Sequence, residues 1–233
     1  MKALYIFPHP DDESFGPGAV MARQRKQGHE VHLLVLTRGG ATKQRHRLGL
    51  SVEEMGAVRA KEMEEVLRVY GLAGMTILDF PDSGLARCDP RELEAAVTAQ
   101  LERLLPEVVV TYPVHGISGF HDHLVTHAVV KRAWLEARER LPLPRLAFHT
   151  VSRETAEASP HFSLSHTPAE EIDVVVPVDG DDLATCRRAL DCYVTFAETI
   201  ERSGIKGLLP DRVPFELFGE RFDPAAGDLF AGL

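Results

Sequence analysis

The chain has 233 residues, of which 26% are charged and 44% hydrophobic, a composition typical of a globular protein with one full core. Its formal net charge of -9 argues against nucleic acid as a partner, because an acidic surface repels a polyanion. No apolar run approaches the ~18 residues of a membrane span, and the N-terminus lacks the pattern of a signal peptide. We therefore expect a cytoplasmic protein without an integral membrane segment.

The first 150 residues alternate between apolar runs and amphipathic stretches. Strands are predicted at 3–7, 31–37, 75–80, 108–112 and 145–150. Helices are predicted at 15–27, from the capping box Ser51-Val52-Glu53-Glu54 to about 70, from Asp89-Pro90 to about 105, and from about 121 onward. This alternation predicts an α/β fold, a Rossmann-like three-layer sandwich with a mostly parallel sheet and helices on both faces.

The remaining sequence is less regular. An extended excursion is predicted at 151–170, a strand at 172–178 and a helix at 181–200, before a Gly- and Pro-rich segment at 203–233 that shows no pattern. We expect a single domain over 1–233 with an irregular C-terminal segment at 203–233.

The hexapeptide Pro8-His9-Pro10-Asp11-Asp12-Glu13 follows the first predicted strand, at the edge where ligands of parallel sheets collect. A catalytic zinc ion takes about three N or O ligands, and the spacing of His9 and Asp12 lets both reach one ion. His121-Asp122-His123, at the start of a later predicted helix, is the densest remaining supply of a third ligand. If that ligand is His123, Asp11 stays free beside the metal to take a proton from water.

Several other polar residues allow two interpretations. His123 and His127 are spaced i, i+4 and form a second possible metal pair, although a packed or solvated position outside the site is favoured for His127. Glu13 is expected to orient the site through hydrogen bonds rather than to bind metal. Gly16-Pro17-Gly18 lacks the third glycine of a dinucleotide fingerprint and follows an acidic turn, which opposes a pyrophosphate.

Together these motifs resemble the LmbE/PIG-L family of zinc-dependent de-N-acetylases, which act on N-acetylglucosaminyl conjugates. The resemblance covers about the first two thirds of the chain. It is carried by the hexapeptide and Asp122-His123, and extends through Thr37-Arg38-Gly39, Arg59 with Glu62, Asp82-Ser83-Gly84 and Gly116-Ile117-Ser118-Gly119.

The resemblance implies a role for each matching residue. His9, Asp12 and His123 become ligands of one zinc ion per chain, Asp11 the general base, and Arg59 and Asp82 substrate-binding residues. Fe(II) or Co(II) also fits such a ligand set. The implied reaction is attack of a zinc-activated water on the acetamide of a small N-acetylglucosamine conjugate. The resemblance also implies a homo-oligomer, with trimers as one form.

Two departures from the family pattern bear on the function. The second motif usually reads His-Pro-Asp-His, and here Phe120 and His121 occupy its first two positions. Either His121 takes the catalytic role of the missing histidine or that role is vacant. The family also often carries His or Tyr followed by Ser-Gln near its last helix, where this chain has Tyr193-Val194-Thr195-Phe196.

Three functions therefore remain open from the sequence. The first is a metal-dependent N-deacetylase. The second is a metal-binding scaffold or binding protein without catalytic activity, which Phe120 suggests and the free Asp11 opposes. The third is a hydrolase of another bond such as a phosphoester, although many phosphoesterases use metal pairs.

Overall fold

A computed structural model describes residues 1–159 and 163–233 of the chain. Its strands are β1 (Lys2–Phe7), β2 (Glu30–Thr37), β3 (Gly74–Phe80), β4 (Val108–Thr111), β5 (Arg145–His149), β6 (Val174–Pro177) and β7 (Arg212–Leu217). Its helices are α1 (Asp12–Phe15), α2 (Gly18–Lys26), α3 (Gln44–Leu48), α4 (Val52–Tyr70), α5 (Pro90–Leu104), α6 (His121–Ala137), α7 (Arg153–Glu157), α8 (Gly180–Asp191), α9 (Ala197–Ser203) and α10 (Ile205–Leu208).

The seven strands form one sheet in the order β3-β2-β1-β4-β5-β7-β6. The first five are parallel, and β7 runs antiparallel between β5 and β6. The chain proceeds outward from β1 to β3, then returns to place β4 on the other side of β1. Positions where the strand order reverses in this way are where parallel sheets bind ligands, so the β1/β4 edge is the expected site.

Alternating side chains of the strands supply two cores, one on each face of the sheet. Tyr5 and Phe7 of β1 pack on the face that carries α2, α4 and α8, whereas Leu4 and Ile6 pack on the face that carries α5 and α6. Both sets are buried, as expected for central strands covered on both sides. The predicted three-layer sandwich with a mostly parallel sheet is therefore confirmed.

The helix boundaries follow the local signals in the sequence. Ser51 and Glu54 form the reciprocal capping box of α4, and Gly71 ends that helix in the left-handed conformation at φ 63°. Asp89 caps α5, and Pro90 is its first residue. No helix in the described residues is long and apolar enough to span a membrane.

Several predicted elements differ from the structure. The predicted helix at 15–27 is in fact two helices, α1 and α2, which are separated at Gly16-Pro17. Pro17 has no backbone N–H and so cannot make the hydrogen bond that would continue α1. The predicted helix at 181–200 ends at Asp191 and continues as a 3-10 turn and then α9. Part of the predicted excursion at 151–170 is helical, as α7, and its residues 160–162 lie outside the described part of the chain.

The largest difference concerns the segment predicted to be irregular from 203 onward. It contains α10 and the interior strand β7, whose pairing with β5 and β6 completes the sheet. Pro214 lies within β7 and argues against an interior strand on sequence grounds, because it has no N–H to donate. Its carbonyl nevertheless accepts a hydrogen bond from the Thr150 N–H at 3.2 Å.

Candidate metal centre and active site

A cavity of about 340 Å³ opens at the carboxyl edge of the sheet, beyond the ends of β1 and β4. His9, Asp11 and Asp12 line it from the turn after β1, and His123 lines it from the first turn of α6. His123 is more than 100 positions from the other three in sequence, and the two groups meet because β1 and β4 are neighbouring parallel strands. The sequence-predicted convergence at this edge is therefore present in the structure.

His9 is held in place through both of its ring nitrogens. Nε2 lies 3.2 Å from Oδ2 of Asp122, and Nδ1 lies 3.4 Å from Oδ2 of Asp12. The Asp122 carboxylate is itself fixed, since its Oδ1 accepts the N–H of Leu85 at 3.1 Å. We assign the Nε2 proton to the hydrogen bond with Asp122, which leaves the Nδ1 lone pair directed at Asp12.

His123 shows the mirror arrangement. Its Nδ1 donates to the carbonyl of Gly116 at 2.9 Å, so that Nε2 carries the lone pair and lies 3.4 Å from Oδ1 of Asp12. The Tyr112 ring stacks on the imidazole at a centroid distance of 4.2 Å. Gly116 has φ 64°, and a Cβ there would come within 2.9 Å of the His123 Cβ, so glycine is required for this contact.

These donors fit a divalent metal ion. One ligand atom each from His9, Asp12 and His123 lie within 4.8 Å of one another, and the two imidazole lone pairs face a carboxylate. Each imidazole has its other nitrogen fixed by an oxygen acceptor, which is the usual outer arrangement around metal-binding histidines. A second possible grouping consists of His9, Asp82 and Asp122. Both carboxylates there face Nε2 of His9, and Asp122 already accepts a hydrogen bond from that nitrogen.

The charges of the cluster favour a cation. Burial raises the pKa of Asp12, but the neighbouring His123 and His9 outweigh it and hold that pKa well below its usual range. Burial lowers the pKa of His9, whereas its hydrogen bonds to Asp12 and Asp122 raise it to about 10 in the protein without metal. Metal binding at His9 therefore releases a proton and becomes weaker as the pH falls.

Asp11 lies beside this cluster without being part of it. Its backbone is in the left-handed region at φ 88°, and its N–H donates to the Tyr193 hydroxyl at 3.0 Å. Oδ2 accepts a hydrogen bond from Nη2 of the buried Arg59 at 2.5 Å. Burial raises the pKa of Asp11 to about 6, although the Arg59 charge opposes the shift. Among the described residues none donates to Oδ1, so this oxygen is available in the cavity.

Glu13 supports Asp11 through a third residue. Its Oε1 accepts the hydroxyl of Tyr193 at 2.6 Å, and the same hydroxyl oxygen receives the Asp11 N–H. Burial raises the pKa of Glu13 to about 7, with the hydrogen bonds from Ser14 and Tyr193 acting in the opposite direction. The contacts agree with the prediction that Glu13 orients the site rather than binding metal.

The segment that departs from the family's last motif also contacts the site. Thr195 donates its N–H and its hydroxyl to Glu62, at 2.7 and 2.8 Å. The Phe196 ring lies 4.3 Å from the guanidinium carbon of Arg59. Arg59 and Glu62 lie one turn apart on α4, and each bonds to a different partner in the interior, Asp11 and Thr195 respectively.

The two predicted substrate-binding residues both line the cavity. Arg59 is 2% exposed, and its guanidinium also donates to the carbonyls of Pro10 and Gly39. Asp82 accepts the N–H of Ala41 at 2.7 Å, and its Oδ1 lies 3.3 Å from Nε2 of His9. Their roles in substrate binding stay predictions.

His121, the predicted catalytic partner of Asp11, is not brought to the site. It is an exposed first residue of α6 and is absent from the described residues that line the cavity, whereas Phe120 lines it. The Phe120 ring packs edge-on against His123 at 5.5 Å. The geometry thus disfavours His121 as a replacement for the family's histidine, because at the start of α6 it is Phe120 that faces the cavity.

Two other histidines have ordinary structural contacts. His127 is buried, and its Nδ1 bonds to the Tyr112 carbonyl at 2.9 Å, outside the ligand groupings found in the described residues. His115 lies 3.3 Å from the hydroxyl of Thr167. The packed interpretation of His127 agrees with this position.

His149 is the cavity residue that the sequence reasoning missed. It is the last residue of β5 and is 3% exposed, and its Nδ1 has no hydrogen-bond partner among the described residues. Burial lowers the pKa of His149 to about 3, which keeps the ring neutral. The sequence does contain a signal for His149, because this residue lies at the end of a predicted parallel strand. The same criterion identified His9.

Comparison with known proteins identifies a family and a set of named relatives. The sequence model of the family described as PIG-L, GlcNAc-PI de-N-acetylase, matches residues 4–134. A relative from Mycolicibacterium smegmatis, named 1D-myo-inositol 2-acetamido-2-deoxy-alpha-D-glucopyranoside deacetylase, is 30% identical over 195 residues, covering 74% of this chain and 67% of the relative. The chain spans about half the length of other curated relatives, for example 49% of one from Mycobacterium leprae.

Solved structures share the fold at lower sequence identity. The N,N'-diacetylchitobiose deacetylase of Pyrococcus horikoshii superposes with a TM-score of 0.68 at 19% identity, covering 93% of this chain and 83% of that one. The 4-carboxy-2-hydroxymuconate hydratase of Pseudomonas putida KT2440 superposes with a TM-score of 0.70 at 14% identity, covering 95% and 97%. Since a deacetylase and a hydratase are equally similar in structure, these matches show the fold alone.

The fold and the His/Asp cluster define an α/β protein with a candidate metal centre at the carboxyl edge of its sheet. The family match covers more than half of the chain and includes all of the predicted metal ligands. The chain belongs to the PIG-L family of GlcNAc-PI de-N-acetylases, which confirms the resemblance predicted from its motifs.

Proposed function

We propose that this protein is a zinc-dependent hydrolase that removes the acetyl group from a small N-acetylglucosamine conjugate. The observation that carries the proposal is the carboxyl of Asp11, whose Oδ1 accepts no hydrogen bond from the described residues, beside the three metal-ligand candidates in one cavity. A purely structural metal site has no need of such a carboxyl. The deacetylase names of the curated relatives support the same substrate class.

The residues divide the chemistry as follows. His9, Asp12 and His123 would hold the zinc ion, which when bound supplies Lewis acidity toward the amide carbonyl and acidifies a water. Asp11 takes one proton from the attacking water through its unbonded Oδ1. The water oxygen bonds to the carbonyl carbon, the C–N bond breaks, and Asp11 returns the proton to the departing nitrogen. An amino sugar and acetic acid result, and the acid becomes acetate by releasing the second proton of the water to solvent.

Arg59 and Tyr193 position the base. The Arg59 guanidinium bonds to Oδ2 of Asp11 and directs the other oxygen toward the cavity. Tyr193 fixes the backbone of Asp11 in its left-handed conformation, which costs free energy unless the surroundings stabilise it. With Phe120 in the cavity and His121 outside it, we assign both proton transfers to Asp11.

Acetate release from zinc-loaded protein tests the proposal. The substrates are methyl 2-acetamido-2-deoxy-glucopyranoside and the inositol glycoside named for the M. smegmatis relative. Asp11→Asn is the inactive variant, and Asp79→Asn, at an exposed aspartate paired with Arg38, is the matched control. Acetate release by the parent and the control but not by Asp11→Asn supports the proposal. Bound zinc without release from either substrate would instead favour the scaffold hypothesis.

The quaternary state and cellular location belong to the same proposal. We expect a cytoplasmic homo-oligomer, with trimers as one form, as the family resemblance implies. Light scattering coupled to size-exclusion chromatography measures the native mass directly, and a mass of one chain of 25.8 kDa would overturn the expectation.

A further inference from the structure

One tyrosine contacts two of the three metal-ligand candidates. Tyr112 is the first residue after β4, where it lines the cavity and is 5% exposed. Its hydroxyl donates to Oδ1 of Asp12 at 2.8 Å. Its ring stacks on the His123 imidazole, with a centroid distance of 4.2 Å and an interplanar angle of 9°. Tyr112 therefore joins α1 and α6, the two helices on which these candidates lie.

The hydroxyl of Tyr112 completes the hydrogen bonding of the Asp12 carboxylate. Oδ2 of Asp12 accepts the backbone N–H of His9 at 2.9 Å, so each carboxylate oxygen has one protein donor. Each oxygen also faces one imidazole, since Nδ1 of His9 and Nε2 of His123 both lie at 3.4 Å. Two donors fix the orientation of the carboxylate, and each oxygen keeps a lone pair for a metal ion.

The ring of Tyr112 limits the orientation of His123 in a second direction. The hydrogen bond from Nδ1 of His123 to the Gly116 carbonyl fixes one end of the imidazole, and the stacked phenol fixes the plane of the ring. Phe7 packs edge-on against the same phenol at a centroid distance of 5.0 Å. The two restraints together direct Nε2 of His123 toward Asp12.

His127 holds the backbone of Tyr112. It lies one turn after His123 on α6, is buried, and donates from Nδ1 to the Tyr112 carbonyl at 2.9 Å. Burial lowers the pKa of His127, which keeps the ring neutral, and we assign its proton to Nδ1. The i, i+4 spacing that suggested a second metal pair thus places His123 at the metal centre and His127 on the residue that supports it.

Packing alone does not require the hydroxyl of Tyr112. The ring belongs to the apolar core on the sheet face that carries α2, α4 and α8, where phenylalanine would fill the same space. Within the described part of the chain, the hydroxyl makes a hydrogen bond to Asp12 alone. A buried hydroxyl costs free energy unless it is paired, so its one partner indicates what it is for.

We propose that Tyr112 is a positioning residue of the metal centre. Its hydroxyl orients the Asp12 carboxylate, its ring orients the His123 imidazole, and His127 holds Tyr112 itself in place. The inference rests on the metal centre of the proposed function, and it extends that function by giving a role to two residues outside the ligand set. Partners that orient metal ligands typically contribute about 10- to 100-fold to metal affinity.

The variant Tyr112→Phe removes the hydroxyl and keeps the ring. Its affinity for zinc, measured by competition with a chromogenic chelator, should fall by about tenfold or more. Tyr5→Phe is the matched control, because Tyr5 is buried and its hydroxyl donates to Gln24 at 2.9 Å, outside the described cavity lining. Tyr5→Phe should bind zinc like the parent, although it also loses a buried hydrogen bond. Thermal unfolding of the metal-free proteins shows whether both variants are folded.

Cobalt-loaded protein supplies a readout that a loss of stability alone does not move. The visible absorption of bound Co(II) depends on the arrangement of its ligands. Tyr112→Phe should change the position or intensity of these bands, whereas Tyr5→Phe should keep the spectrum of the parent. A parental zinc affinity together with a parental cobalt spectrum in Tyr112→Phe would overturn the positioning role.

The supporting role of His127 is tested by His127→Leu. This variant removes the hydrogen bond to the Tyr112 carbonyl and should weaken zinc binding less than Tyr112→Phe does. In the double variant the loss should be smaller than the product of the two single losses, because His127 acts through Tyr112. Independent, multiplicative losses would overturn the supporting role of His127.

Failure of the metal centre has a different signature from failure of this inference. A parent protein that binds neither zinc nor cobalt would overturn the metal centre and the role of Tyr112 together. Equal zinc binding by the parent and Tyr112→Phe would count against Tyr112 alone. Weaker zinc binding by Tyr112→Phe in a protein that releases no acetate would support the role of Tyr112 and count against the deacetylase alone.

Discussion

The two sides of the cavity are stabilised in different ways. On the metal side, polar atoms are held by partners: both oxygens of Asp12 accept hydrogen bonds, from Tyr112 and from the backbone of His9, and Oδ1 of Asp122 accepts the Leu85 N–H. On the opposite, apolar side, the lining includes Leu164, Ile205, Leu208, Pro210, Val213 and Pro214, and Nδ1 of His149 has no hydrogen-bond partner among the described residues. The first side is a network of directional contacts, and the second depends on contact area.

The two kinds of contact predict different responses to substitution. Directional contacts hold ligand atoms to the tolerance that proton transfer requires, and they are disrupted by single substitutions. Apolar contacts tolerate a change of side chain if volume is kept. We therefore expect large effects from substitutions on the metal side and graded effects from substitutions on the apolar side.

The largest effect is expected at Asp11. Asp11→Asn keeps the size of the side chain but removes the base, and kcat should fall by about 10² to 10⁴-fold. Bound zinc should stay near one ion per chain, because Asp11 is not among the ligand candidates. Steady-state kinetics and metal analysis on the same sample check both parts. A variant that loses zinc along with activity would contradict the separation of base and ligands.

The next effect is expected at Asp122, which acts on the metal through His9. Asp122→Asn replaces the acceptor for His9 Nε2 and should weaken zinc binding by about 10 to 100-fold. Competition with a chromogenic chelator measures the affinity. Asp79→Asn, on the exposed end of β3, is the matched control and should bind zinc like the parent. Equal affinity in both variants would show that His9 does not need this support.

A smaller effect concerns stability and pH at His149. Its native pKa is about 3, below the ordinary value near 6.5, so between these values the unfolded chain binds a proton that the native chain does not. The free energy of unfolding therefore falls as pH falls through this window. His149→Phe removes this term and should gain about 2 kcal/mol relative to the parent between pH 7 and pH 5.

Urea unfolding of parent and variant at the two pH values measures this change. All other titratable groups are common to the two proteins, so the difference between them isolates His149. A parent and a variant that lose equal stability between pH 7 and pH 5 would show that His149 is accessible to protons in the native state.

The smallest effect is expected at His121. Because it is exposed and lies outside the described cavity lining, His121→Ala should change kcat/KM by less than about twofold. Phe120→His, at the neighbouring position that does line the cavity, is the informative companion. A loss of activity in His121→Ala comparable to that of Asp11→Asn would restore the original prediction of a catalytic His121.

Much of the fold follows from local sequence signals. The capping box at Ser51 and the Asp89-Pro90 start marked two helices, and the continuous apolar runs marked strands buried on both faces. His9, Asp12 and His123 were predictable as one group, because residues that follow parallel strands meet at one edge whatever their distance along the chain.

Other features depend on contacts that the sequence does not encode locally. β7 contains Pro214 and is stabilised by pairing on both sides, which overrides its weak strand pattern. Arg59 and Glu62 are one turn apart on α4, and only the tertiary structure shows that the first bonds to Asp11 and the second to Thr195. The register of α6 decides that Phe120 rather than His121 reaches the cavity.

Zinc binding by metal-depleted protein tests the central claim most directly. Equilibrium dialysis followed by elemental analysis is carried out on the parent, Asp12→Ala, His123→Ala and the control Asp79→Asn. We predict one tightly bound zinc ion per chain in the parent and the control and loss of that ion in both ligand variants. Undiminished zinc binding in Asp12→Ala and His123→Ala, or no binding in the parent, would contradict the assignment of this cluster as the metal centre.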